Sequence, residues 1–501
     1  MKTFEGKNYI DGKWAASATG KTLERKNPAN FDDLVSIYPS SDKRDVDAAV
    51  ASSRKSFHTW KKMSMIKRAE LFDNFVQLVK RDTKELAELL CRESGKQINE
   101  SRADVIEGMH MAQYVFGTGR TGVYGEVIAS EIEDKDSYLR KKPKGVFAVI
   151  TPWNFPFAIP LWLMGPSLLA GNTVVFKPSK ETPLIGQKIV EMFEEAGFPH
   201  GVVNMVHGTG EQSGDPLITN PDIDGILFTG SYNIGARIKQ VCAEDGRKLA
   251  VCEMGSKSAI LVLEDADVNI AVNAAVVSAF KTSGQRCVSA GRIIVHEKVL
   301  DEFTERFVKL SERVHFGNPM DEKVFAGPMV NEAGVKRVSI YNDLAKKEAA
   351  EVFIDGGRMG GKEYEKGWFM APFVYKIAHS HTSRVAREEV FGPHVAIIPV
   401  KSTEEAIRVY NDTDYGLSMA VITEDYRKAR LVRDECDYGL GYVNLPTIGA
   451  EVHLPFGGVK RSGTHFPSAS ALIDAVTHKT AFTINHAREI KMAQGLKSEV
   501  K

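Results

Sequence analysis

The sequence predicts an α/β protein with two doubly wound α/β units and a small β-ribbon. Three observations predict it. Short apolar runs, such as Val146–Ile150 and Ala259–Val262, read as strands buried on both faces. Helical stretches alternate with these runs, which is the pattern of a parallel sheet with helices on its faces. The chain has 501 residues, more than one hydrophobic core usually serves, so at least two domains are expected.

Each element has a local reason. Residues 45–57 and 67–79 carry apolar side chains at three- and four-residue steps, and 81–93 continues the pattern; these read as amphipathic surface helices. From Gly145 the period changes. Strands are expected at Val146–Ile150, 173–176, 202–206, 226–228, 249–251 and Ala259–Val262, with helices between, including 185–196 and a segment from Gly230 to Ala243. A second series follows: helix 268–281, strand 292–295, helix 300–314, then strands 395–399 and 420–423. Segment 117–142 is glycine-rich and then strand-like with mixed charge. It fits a two-stranded ribbon, which is marginal in water without a partner surface. The C-terminal run 475–484 reads as a strand that pairs with this ribbon or with a neighbouring subunit.

Composition narrows the function. Lys and Arg number 65, as do Asp and Glu, so net charge is zero. That argues against a broad nucleic-acid or membrane-surface footprint and is compatible with self-association. The five cysteines are sparse and form no C-x-x-C pair, which disfavours a disulfide framework or a zinc cage and fits a reducing compartment. Met1 to Gly6 lacks an apolar signal core. The longest apolar run, 155–171, is interrupted by Pro156, Pro160, Gly165 and Pro166 and falls short of a membrane span. A cytoplasmic protein without a membrane or nucleic-acid partner is the expectation.

Several loops carry side chains suited to chemistry. Cys287 lies in a turn after a helix, beside Arg286; a nucleophilic cysteine needs a stabilised thiolate or a nearby base. Taken alone, a buried inert thiol is the commoner condition. Glu253 ends a strand, where ligands bind in parallel sheets, and suits a general base; a cap or surface ion pair is the ordinary alternative. Asn154, in Thr151-Pro152-Trp153-Asn154-Phe155-Pro156, sits in a loop stiffened by two prolines that can hold an amide donor for an oxyanion. Phe228-Thr229-Gly230-Ser231 joins a strand to a helix and suits a phosphate, although it is not a full G-x-G-x-x-G. Lys177-Pro178-Ser179 places a cation at the same sheet edge. Each signal is weak alone. Together they offer a nucleophile, a base, an amide donor and a phosphate cradle.

With Glu253-Met254-Gly255, Gly284-Gln285-Arg286-Cys287, Glu389-Val390-Phe391-Gly392-Pro393 and Pro455-Phe456-Gly457-Gly458, these motifs resemble the NAD(P)-dependent aldehyde dehydrogenase superfamily over nearly the whole chain. The resemblance implies a Rossmann-like cofactor domain (1–120 and 143–255), a catalytic domain (256–466) and an oligomerisation element (121–142 and 467–490), assembled as homodimers or homotetramers. It implies Cys287 as nucleophile, Glu253 as general base, and Asn154 with the Cys287 N–H as oxyanion hole. Thr151, Trp153, Lys177, Ser179, Lys180, Gly230, Ser231, Glu389 and Phe391 are the expected cofactor residues. No metal is implied.

Three departures from the family pattern matter. The glutamate common three positions after the cofactor lysine is Lys180 here, with Glu181 beside it. A carboxylate there repels a 2′-phosphate and a lysine attracts one, so NADP acceptance beside NAD is expected. The usual second glycine after the base is Ser256, tolerable where its φ is negative. A distal glutamate found in many members is Pro467, leaving Glu253 as the main base. The loop 445–454 resembles that of semialdehyde-oxidising members, and with Trp162 and Phe456 should border the substrate tunnel. A carboxylate-bearing substrate needs a cation or amide donors; Arg286 and His453 are the candidates, with a structural role for Arg286 favoured. The alternatives are a CoA-acylating semialdehyde dehydrogenase, disfavoured by Glu253, and a catalytically silent relative, disfavoured by the intact Cys287, Glu253 and Asn154.

Overall fold

The computed structural model describes residues 3–122, 125–348 and 351–495. Met1 and Lys2 of the N-terminal segment, and Val123 and Tyr124 of the expected ribbon, lie outside them.

The first sheet is built on five parallel strands in the order Leu249–Glu253, Gly225–Thr229, Val146–Ile150, Thr173–Lys177, Val203–Met205. Two antiparallel strands, Asn8–Ile10 and Lys13–Ala15, extend its edge. The chain starts at the central strand, winds to one side, then crosses to Gly225–Thr229 on the other. The order of connection therefore reverses between Val146–Ile150 and Gly225–Thr229, and the crevice at their C-terminal ends is the place such sheets bind ligands. The apolar run 155–171 became the helix Ala158–Ala170, buried along its whole length. Each fully buried leucine or isoleucine there contributes roughly 1.5–3 kcal/mol.

The second sheet has the order Glu351–Ile354, Phe373–Lys376, His394–Val400, Arg292–His296, Ala259–Val262, Ser418–Ile422, Leu440–Val443, parallel except at the first strand. A third, antiparallel sheet joins Gly125–Ile128, Lys135–Pro143 and Thr477–Asn485. The C-terminal strand thus pairs with the ribbon of its own chain, making it three-stranded.

The differences from expectation have local causes. Helix Ile98–Thr121 extends into the segment expected as ribbon and stops at Gly122, which takes the left-handed conformation of a C-cap. Stretches 67–79 and 81–93 are one helix, Met65–Ser94, because no breaker separates them. Helix Ala469–Ala475, placed by expectation with the oligomerisation element, packs Leu472 and Ile473 into the core of the first sheet. Helix Val268–Phe280 ends one residue early, at the turn that carries Cys287.

Candidate active site

Two loops rise from the crevice. One follows Ile150 and carries Thr151, Trp153 and Asn154; the other follows Thr229 and carries Gly230 and Ser231. Ser231 is the N-cap of helix Tyr232–Glu244 and makes no side-chain cap bond, so the first-turn N–H groups of a 13-residue helix face the crevice. Gly235, one turn in, allows close helix–strand packing: a Cβ there would meet Met254 Sδ at 2.3 Å.

The nucleophile candidate comes from the other sheet. Beyond Phe280 the backbone makes a run of left-handed residues, Thr282 (φ 52°), Ser283 (φ 55°) and Gly284 (φ 68°). For Thr and Ser this costs roughly 1–2 kcal/mol each. Gly284 has no alternative, since a Cβ would lie 2.2 Å from the Gly392 carbonyl oxygen. Glu100 holds the run in place: its carboxylate accepts from the Thr282 hydroxyl at 2.7 Å and the Thr282 N–H at 3.2 Å. Ser283 Oγ donates to the Gly327 carbonyl at 2.5 Å. This turn delivers Cys287 to a cavity of 140 Å³ that it shares with Trp153, Asn154, Gly230, Ser231, Met254, Glu389 and Phe391.

The electrostatics describe a resting thiol. Burial raises the Cys287 pKa, Glu253 and Glu389 raise it further, and Arg286 opposes them only in part. Glu253 is buried, and neither of its carboxylate oxygens has a hydrogen-bond partner among the described residues. Burial pushes its carboxyl well above the usual range, and the nearby Gly458 backbone, which makes no aligned hydrogen bond to it, opposes this only weakly. Burial therefore disfavours the charged form of both groups, and the thiol proton must leave for attack to begin. Asn154 donates to the Gln285 carbonyl at 3.2 Å, while its buried Oδ1 is unpartnered. The second Nδ2 hydrogen remains for a ligand in the cavity.

On the cofactor side, Trp153 and Phe391 meet edge to face at 5.6 Å. Glu389 accepts the Ser256 N–H at 2.9 Å. Ser256 is not among the positive-φ residues and its Oγ lies 2.6 Å from Ser258 Oγ, so the departure from glycine is accommodated. Ser231 and Glu389 also line an adjoining cleft of 630 Å³. Thr151 is buried and its N–H donates to the Lys177 carbonyl at 3.4 Å. Lys177 is buried, and burial, with Lys180 nearby, lowers its pKa to about 8. Ser179 Oγ accepts the Glu181 N–H at 3.2 Å. Lys180 is exposed. Glu181 turns away, pairing with Arg25 at 2.5 Å and accepting from Asn331 at 2.9 Å. These groups fit a dinucleotide: a helix N-terminus without a side-chain cap, a buried lysine that donates to the Pro178 carbonyl at 3.3 Å, and an adjoining cleft.

On the substrate side, Trp162 and Phe456 lie 4.7 Å apart in the apolar cluster against which Cys287, Phe155, Ile448 and Val452 pack. Arg286 does not stand free as expected of a substrate anchor. Its Nη2 pairs with Glu100 at 2.5 Å and its Nε donates to Thr282 at 2.8 Å; Nη1 is the nitrogen left without a described partner. His453 is exposed, 3.5 Å from Glu451, and does not line the cavity that holds Cys287. Two residues escaped the sequence reading. Glu107, next on the Glu100 face of its helix, is part-exposed, yet burial pushes its carboxyl up to about 8. It acts electrostatically with Arg286, and Tyr442 with both Glu107 and Cys287. Glu100 and Glu107 give no sequence signal beyond acid residues on a helix face.

With this geometry in view, comparison with known proteins decides the family. Residues 14–481 match the model of the aldehyde dehydrogenase family. The chain belongs to the aldehyde dehydrogenase family. It is 34% identical over 458 residues to the alpha-ketoglutaric semialdehyde dehydrogenase of Bacillus subtilis (strain 168), covering 91% of this chain and 93% of that one. It is 36% identical over 462 residues to the alpha-ketoglutarate semialdehyde dehydrogenase of Haloferax volcanii, covering 92% and 95%. Among solved structures, the NAD-dependent aldehyde dehydrogenase from Sinorhizobium meliloti superposes with a TM-score of 0.93 at 30% identity, covering 98% of this chain and 96% of that one. This family member is accordingly an NAD(P)-dependent oxidoreductase acting on aldehydes. No described helix is long and apolar enough to cross a membrane.

Proposed function

We propose that this aldehyde dehydrogenase oxidises a carboxylate-ended ω-semialdehyde to the acid by a hydrolytic route, with Cys287 as nucleophile, Glu253 as general base, and Asn154 with the Cys287 N–H as oxyanion donors. The observation that carries this reading is the cavity into which Asn154, Cys287 and the helix N-terminus at Ser231 all face. Cys287 Sγ bonds to the aldehyde carbon as the thiol proton leaves to water in the cavity. The oxyanion so formed is stabilised by the Asn154 amide, a donor worth roughly 3–4 kcal/mol in such sites. A bound nicotinamide would supply the hydride acceptor that the passage from thiohemiacetal to thioester requires. Glu253, as the carboxylate, then takes a proton from a water that attacks the thioester carbon; the carbon–sulfur bond breaks, the acid leaves, and the proton held on Glu253 passes to the Cys287 sulfur to restore the thiol. A buried base with unpartnered oxygens favours water as acceptor over coenzyme A.

The substrate class rests on the relatives named above and on Arg286 Nη1, a guanidinium donor beside the nucleophile that can meet a substrate carboxylate. NADP acceptance rests on Lys180 being exposed near Lys177 and on Glu181 being engaged by Arg25. The domain division is 1–120 and 143–255 for cofactor, 256–466 for catalysis, and 121–142 and 467–490 for association, with helix Ala469–Ala475 anchoring that element to the core of the first sheet. Homodimers or homotetramers are favoured by the ribbon sheet, where Val127 is 78% and Phe482 59% exposed. A cytoplasmic location is favoured by five free thiols. The test is a panel of plain aldehydes and ω-semialdehydes with NAD and NADP. Acid formation without coenzyme A, best with ω-semialdehydes, is expected; undiminished oxidation by Cys287→Ser, or a need for coenzyme A, overturns the mechanism.

A further inference from the structure

Outside the catalytic cavity, three side chains converge without an assigned role. His379 and His381 lie in the connection after strand Phe373–Lys376, and Asp412 is the C-cap of helix Thr403–Asn411. We propose that His379, His381 and Asp412 bind one divalent transition-metal ion of the zinc class.

The geometry carries the proposal. The two imidazole rings stand 5.5 Å apart at 77°. His379 Nε2 lies 2.8 Å and His381 Nδ1 2.5 Å from the same oxygen, Asp412 Oδ2. That oxygen is buried and has no aligned hydrogen bond, so both nitrogens crowd it without either being directed at it as a donor. The other oxygen, Oδ1, is held by Arg387, which fixes the carboxylate with Oδ2 towards the rings. His379 Nδ1 is likewise buried and unpartnered. The ligand atoms lie within 4.8 Å of one another, so one ion can touch all three.

Two imidazoles and one carboxylate suit zinc or cobalt rather than calcium or magnesium, which prefer oxygen. Bonds of about 2.0–2.1 Å need ligand edges of about 3.3 Å. The pair must therefore open slightly, which His381 permits because its side chain is 83% exposed. The remaining coordination position opens to water. The charge of Arg387 opposes a cation, so binding should be weaker than in a closed structural site. An ion here would fasten the 377–383 connection to the end of helix Thr403–Asn411. His381 also lines the 630 Å³ cleft that contains Ser231 and Glu389, so the site borders the proposed cofactor path.

The experiment is calorimetric titration of the full-length protein with Zn²⁺, paired with visible spectra of the Co²⁺ complex. One equivalent is expected, with d–d absorption and no strong cobalt–thiolate band. His381→Ala, exposed enough not to disturb folding, should weaken that equivalent at least tenfold. Cys287→Ser should retain it, which excludes the catalytic thiol as the ligand. Absence of binding by the wild-type chain, or equal binding by His381→Ala, overturns the assignment.

Discussion

Glu100 is expected to act as a positioning residue for the proposed nucleophile, though it touches neither Cys287 nor the cofactor-side cavity. Burial alone would raise its carboxyl, but Arg286, Thr282 and Lys281 together outweigh burial and hold it below the usual range, so it is ionised. It holds Thr282, the first of two adjacent non-glycine left-handed residues that together cost roughly 2–4 kcal/mol. It also partners a guanidinium whose side chain is 16% exposed. Removing one member of a buried ion pair costs about 3–5 kcal/mol, and the residual exposure places this pair at about 3. Glu100→Gln keeps the shape and loses the charge; Glu100→Ala loses both. A shift of the 282–287 turn by about an ångström costs up to about 100-fold in rate. The expectation is a kcat lowered about tenfold in Glu100→Gln and about 100-fold in Glu100→Ala, with the KM for NAD unchanged. Single-turnover formation of reduced cofactor and the rate of Cys287 alkylation by iodoacetamide should fall together. A Glu100→Ala enzyme with kcat and Tm at wild-type values refutes the reasoning.

Other outcomes follow from the same geometry. Lys180→Glu should lower the ratio of NADP to NAD kcat/KM by about tenfold or more, since a charged contact becomes a repulsion; an unchanged ratio places Lys180 outside the ribose site. Glu107, with its pKa near 8, is protonated at neutral pH and ionises above it, so the KM for an ω-semialdehyde should rise above pH 8 while that for an uncharged aldehyde stays flat. Glu107→Gln should remove the rise. Phe482→Asp, on the exposed ribbon face, should convert the assembly to a smaller species by light scattering; an unchanged mass moves the interface elsewhere.

The parallel strands were legible because burial on both faces writes an unbroken apolar run, as at Val146–Ile150 and Ala259–Val262. The loops that follow such strands were legible for the same reason, which is why Asn154, Gly230 and Ser231 could be placed. Other features left no local trace. Thr282 and Ser283 are not residues that favour left-handed backbone, so the strained turn before Cys287 is imposed by Glu100 and Gly327 from distant segments. Arg286 could not be oriented, because its partner lies 186 positions away. The N-terminal strand Thr22–Asn27 is mostly polar, and its pairing with Asn30–Pro39 is broken by register shifts, so neither shows a clean alternation. The His379–Asp412 cluster joins a loop to a helix end, and only the fold brings them together.

The central claim is that Cys287 carries the acyl group and Glu253 releases it. The direct test is intact-protein and peptide mass spectrometry of Glu253→Gln mixed with an ω-semialdehyde and NAD, quenched in acid. The account predicts a burst of reduced cofactor near one equivalent per active site, slow turnover afterwards, and one acyl adduct on the Cys287 peptide. An adduct on another cysteine, or full turnover by Glu253→Gln with no adduct, contradicts it.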